Sequence, residues 1–78
     1  MNDVKYLEVD FGYWTEDELI CIKYTGDGTP SISVVSEWCR EDEERIGRKV
    51  TSVYPIEREE AEAFYDFSNE DKWPVFSL

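Results

Sequence analysis

Hydrophobic and polar residues alternate clearly near the start of the chain. Leu7, Val9, Phe11 and Tyr13 are interleaved with Glu8, Asp10 and Gly12, and this period of two predicts a half-buried strand over residues 4–13. Thr15, Glu16, Asp17 and Glu18 form a polar break. Residues 19–24 follow, with Leu19, Ile20, Cys21 and Ile22 nearly continuous, which suits an interior strand. Gly26, Asp27, Gly28 and Pro30 then mark a turn: glycine accepts positive φ, and proline cannot continue a ladder.

Residues 31–38 carry Ile32, Val34 and Val35 and are expected as a third strand, because β-branched residues favour the pleated surface. In a hairpin with Tyr24 opposite Ser31, Cys21 faces Val34, which keeps Cys21 and Cys39 apart. Residues 40–45 are a charged excursion, and residues 48–54, with Val50, Val53 and Tyr54, read as a fourth strand. A competing pattern makes residues 36–46 a helix, with Ser36 as N-cap and Gly47 just past its end. Its stripe of Trp38, Cys39 and Ile46 is thin, so the strand, loop, strand order is favoured.

Residues 55–67 form the strongest helical pattern. Pro55 suits the first helical position, Glu57, Glu59 and Glu60 suit the positive end of the dipole, and Ile56, Ala63, Phe64 and Phe67 share an inner face. Residues 68–78 are expected as a tail that is mobile, docks on the chain's own core, or docks on a partner through Trp73 and Phe76 as aromatic anchors. The fold expected is therefore α+β: an antiparallel sheet of about four strands, a meander, with one C-terminal helix over about 55–67 packed on one face.

Composition makes this a single small domain. A chain of 78 residues buries only about 60% of its unfolded surface, and its 41% hydrophobic and 15% aromatic content supplies one modest core. Charge changes the picture more. Nineteen acids against eight bases leave a net charge of −11, above the roughly 2–8 that serves solubility alone. Such a surface disfavours direct contact with nucleic acid or an anionic membrane, since phosphate attraction needs Lys and Arg. No apolar run approaches the roughly 20 residues that span a bilayer. The first residues lack a basic stretch followed by an apolar one, so no signal peptide is expected and the cytoplasm, of a cell or of a virus-infected host, is the expected compartment.

Candidate chemistry is sparse. The sequence has no histidine, which excludes Ser-His and Cys-His nucleophiles, and no phosphate-binding loop motif. Cys21 and Cys39 lack the spacing of a zinc site and read as reduced, half-buried thiols. Glu57 and Glu60, like Glu59 and Glu62, stand at helical i, i+3 spacing, but a solvated acidic face explains them better than a metal site. Arg40, Arg45, Arg48 and Lys49 surround the acids of residues 41–44, and local ion pairing accounts for them. The chain is thus expected to be no enzyme and to carry no cofactor or metal.

What stands out is the acidic surface: Glu57, Glu59, Glu62 and Asp66 on the helix, and Glu41, Asp42, Glu43 and Glu44 in the loop. A rigid array of carboxylates presents a basic groove with a charge pattern like a nucleic-acid backbone, and it speeds encounter. In size and charge, though not in motif, the chain is similar to the small acidic inhibitors that phages use against host defence, the anti-CRISPR and anti-restriction nucleic-acid mimics. That resemblance implies an inhibitor of a basic, nucleic-acid-binding protein. The alternatives are an immunity or antitoxin protein against a basic nuclease, and an accessory module that uses its aromatic tail for assembly, as in a homodimer.

Overall fold

The alternation of Leu7, Val9 and Phe11 is realised as a central strand whose inner side chains are fully buried. A computed structural model describes residues 3–12 and 19–78. The end of the first expected strand at Tyr13, and the polar break with its acids Glu16, Asp17 and Glu18, lie outside the described residues. The elements in chain order are β1 (Lys5–Asp10), β2 (Leu19–Thr25), α1 (Ile32–Trp38), α2 (Arg40–Ile46), β3 (Ser52–Ile56), α3 (Arg58–Phe64), a 3-10 turn (Glu70–Lys72) and β4 (Val75–Ser77).

The architecture is α+β, with a four-stranded mixed sheet in the order β3-β1-β2-β4. β1 pairs antiparallel with β2, with Leu7 opposite Ile22 and Val9 opposite Ile20, and antiparallel with β3, with Val9 opposite Val53. The expected antiparallel meander is corrected at the far edge, where β4 runs parallel to β2 and sets Phe76 beside Tyr24. A long excursion through α1, α2, β3 and α3 separates β2 from β4 and supplies the crossover that a parallel pair needs.

The third strand expected over residues 31–38 is instead α1. Ser31 caps it, its side chain accepting from the Val34 N–H at 3.3 Å. The charged excursion is α2, closed by Gly47 in the left-handed conformation at φ 80°. Backbone bonds from Cys39 N to Val35 O and from Glu43 N to Cys39 O, both 2.8 Å, carry the helical pattern through the junction. The reason is a ladder at i, i+4: Val35, Cys39 and Glu43 are all buried, with Ile46 half-buried beyond them. The ladder is hidden in the sequence because one of its rungs is a glutamate. With α1 helical, the hairpin that set Tyr24 opposite Ser31 does not form.

The fourth strand is shifted from residues 48–54 to β3, which extends through Pro55. Proline is tolerated there because β3 is an edge strand, hydrogen-bonded only to β1. The helix expected over 55–67 shrinks accordingly to α3, and its inner face changes. Ala61 is fully buried, whereas Phe64 is 76% exposed and Ala63 is also exposed.

Two layers cover the sheet. Leu7, Val9, Phe11, Ile22 and Tyr24 form the main core with Val35 and Cys39 of the α1–α2 arm and with Val50. On the opposite face, Tyr6, Glu8 and Lys23 meet α3 and the segment after it. The residues from 68 onwards, expected as a tail, fold back on the chain's own sheet: Leu78 N bonds Thr25 O at 2.9 Å, and the Phe76 ring stacks on Trp38 at 5.0 Å. Gly26, at φ 127°, lets this strand pass, since a Cβ there would stand 2.7 Å from that of Leu78. Among the described residues no helix is long and apolar enough to cross a membrane.

Candidate protein-binding surface

The acids split into two groups on opposite faces of the sheet. Glu57, Glu59 and Glu62 are exposed on or beside α3, and Asp66 is exposed just beyond it. Glu41 and Glu44 are exposed on α2, across the sheet, with Asp42 half-buried between them. A partner that contacts both groups must grip the protein from two sides.

Several of these carboxylates already have work inside the protein. Glu62 accepts from Arg58 Nε at 2.7 Å, and Asp42 pairs with Arg45 at 3.3 Å. Asp66 accepts from the Ser68 hydroxyl at 2.6 Å and from its N–H at 2.9 Å, which holds its carboxyl below the usual carboxylate range. Glu43 is only 6% exposed. Its Oε2 accepts from Val50 N at 2.9 Å and from Ser36 Oγ at 2.7 Å, and its Oε1 faces Lys49 Nζ at 3.5 Å. The Val50 N–H, then Ser36, then Lys49 keep its carboxyl below the usual range against the opposing effect of burial. Glu43 is therefore a structural pin between α1, α2 and the approach to β3.

The aromatic anchors are also rearranged. Phe76 is stacked on Trp38, and Trp73 is half-buried, edge-on to Phe67 at 5.0 Å. Both serve internal packing. Phe64, expected in the core, is the most exposed large apolar side chain among the described residues. It stands at the lip of a groove of about 310 Å³ between α3 and the sheet, lined also by Glu8, Leu19, Ile56, Glu60 and Tyr65.

A polar cluster fixes the segment after α3. The Lys23 side chain is only 8% exposed, and its ammonium lies 3.2 Å from Glu70 Oε1 and donates to the Glu70 carbonyl at 2.8 Å. Tyr6 donates its hydroxyl to Glu70 Oε1 at 2.8 Å and accepts from Arg58 Nη1 at 3.1 Å. The Tyr6 bond, followed by Lys23 and Arg58, holds the Glu70 carboxyl below its ordinary range. The signal in the sequence was Lys23 itself, a lone charge within an apolar strand that needs a partner once buried.

Cys21 and Cys39 are free thiols. Burial pushes Cys21 up to about 11, helped by the charge of Glu8, and pushes Cys39 up to about 12, helped by Asp42 and Glu43. Neither is a nucleophile near neutral pH. Among the described residues no group of three or more His, Cys, Asp or Glu side chains is placed to hold a metal ion. Comparison with protein-family models, curated proteins and solved structures finds no match.

Proposed function

We propose that the protein is an inhibitor that works by occupancy, filling a basic nucleic-acid-binding site on a partner protein. Charge density carries the reading. The described residues extend 36 × 25 × 19 Å and carry sixteen acids against eight bases, a net −8, about one charge per 4.5 Å of the long axis. A single nucleic-acid strand carries one charge per about 3.4 Å, and a duplex one per about 1.7 Å. The spacing is nearer that of one strand than of a duplex, which favours partners that bind single strands or track one strand of a duplex. Lys23, Arg45, Lys49 and Arg58 are paired with acids of the chain itself, and the exposed acids on both sheet faces set the field a partner meets. A field of this kind mainly accelerates association and selects basic partners.

The test is capture from a lysate of the source or host cell on the immobilised chain, followed by elution with a single-stranded oligonucleotide. The expected result is release of nucleic-acid-binding proteins whose binding or nuclease activity falls when the chain is added back. Capture that the oligonucleotide does not reverse, or captured proteins whose activity is unaffected, would overturn the proposal. If activity falls only for a nuclease encoded beside this chain, the immunity reading takes its place.

A further inference from the structure

We infer that the groove between α3 and the sheet is a guanidinium pocket that receives an arginine side chain of the basic partner, its stem against Leu19, Ile56 and Phe64 and its head between Glu8 and Glu60. The occupant's source rests on the inhibitor reading above; its chemistry follows from the groove.

Charge complementarity is the first argument. Besides Asp10, whose carboxylate accepts from the Gly12 N–H, the other buried or half-buried carboxylates among the described residues, Glu43, Glu70 and Asp42, each meet a Lys or Arg of the chain. Glu8 does not. It sits half-buried at the middle of β1, opposite Cys21 on one side and Tyr54 on the other. The Tyr65 hydroxyl donates to its Oε2 at 2.8 Å and fixes its orientation. Among the described residues no Lys or Arg forms an ion pair with Glu8 or with Glu60, and none lines the groove. A carboxylate held in place beside apolar walls favours a charged donor from outside.

Shape and exposure are the second argument. A groove of about 310 Å³ is at the lower end of ligand-sized sites and suits one long side chain. Its lip is Phe64, 76% exposed, which leaves an aromatic face open to a cationic side chain. Arginine fits better than lysine because its planar, weakly hydrated head stacks on an aromatic face while bonding a carboxylate. The protein builds such a cradle once already. The Arg58 guanidinium lies 5.9 Å from the Tyr6 ring centre and 5.7 Å from that of Phe67, and it bonds Glu62 at 2.7 Å.

The experiment titrates the ¹⁵N-labelled chain with acetyl-tetra-arginine amide at low salt, with acetyl-tetra-lysine amide as the equal-charge control. The arginine peptide should shift the amides of Glu8, Ile56, Glu60 and Phe64 and bind at least about threefold more tightly than the lysine peptide. Phe64→Ser with Glu60→Gln should abolish that preference and leave Tm within about 4 °C of the parent. Equal affinity for both peptides, or shifts centred on α2, would refute the pocket. A fall in Tm well beyond that range would show the chain's own side chains filling the groove. Concentration-dependent shifts that Phe64→Ser removes would assign it to a second copy. Either result overturns the inference. Captured proteins decide between the two proposals. If the double variant captures them as well as the parent, the pocket fails and the inhibitor reading stands. If the arginine peptide docks but the oligonucleotide releases no captured protein, the inhibitor reading fails alone.

Discussion

At Glu43 one carboxylate serves three donors from two parts of the chain, Ser36 of α1 and, on the approach to β3, Lys49 and the Val50 N–H. Glu43→Ala leaves the Val50 N–H and the Ser36 hydroxyl without this acceptor, and each orphaned group costs about 1–3 kcal/mol. Thermal melting should show a loss of at least about 4–8 °C, the shift that 1 kcal/mol makes in a domain of this size. A Tm unchanged from the parent would remove Glu43 from the framework. Glu41→Ala and Glu44→Ala, two exposed neighbours, should stay within about 0.5 kcal/mol. Phe64 gives the mirror case. Helical spacing from Pro55 assigns it to the core, where truncation costs about 3–5 kcal/mol, but at 76% exposure Phe64→Ala should be nearly neutral. Composition could not separate Glu43 from Glu44, or Phe64 from Phe67, because residue type is the same and only the three-dimensional neighbours differ.

Elements were legible where one face was apolar and strictly periodic. β1 and β2 were readable in the sequence, including the pairing side of Leu7, Val9 and Phe11. α1 was not, because Ile32, Val34 and Val35 carry β-preference and tertiary packing overrode it. The helical ladder through Val35, Cys39, Glu43 and Ile46 becomes visible only when a glutamate is allowed to point inward. α3 was found but misplaced, since Pro55 fits a helix start and an edge strand equally well. Of the candidate surface, the exposure of Glu57 and Glu59 is legible, whereas the place of Trp73 and Phe76 is left open, since an aromatic tail reads the same whether it docks on a partner or on its own sheet. This placement selects the variant that tests α3. Glu62→Lys would break the Arg58 pair, so the cleaner change is Glu57→Gln with Glu59→Gln, which removes two exposed charges and keeps that pair. Association with a captured partner, followed by surface plasmon resonance at low salt, should slow several-fold while dissociation changes little, as expected of steering charges. Faster dissociation with unchanged association would make these side chains direct contacts.

For the molecule as a whole, the excess acid opposes folding while two buried or half-buried carboxylates support it, and pH separates the two effects. Near pH 7 the net −11 repels itself across a body about 36 Å long. Lowering the pH toward the pI of about 4.2 removes that repulsion, so stability should rise. Glu43 and Glu70 act in the opposite sense. Both carboxyls are held below their ordinary values in the folded state. The stability they contribute is complete above the unfolded value of about 4.3 and is lost as pH falls through the lower folded values. A stability maximum between about pH 4 and 5 follows, with loss on either side. Salt distinguishes the two arms. Raising NaCl from about 10 mM to about 0.15 M shortens the Debye length from about 30 Å, nearly the long axis, to about 8 Å. Tm at pH 7 should therefore rise with salt, while the acid arm, governed by short hydrogen bonds to buried oxygens, should move little. Melting from pH 3 to 8 at both salt concentrations checks this. If Tm at pH 7 falls on adding salt, the internal ion pairs outweigh the repulsion.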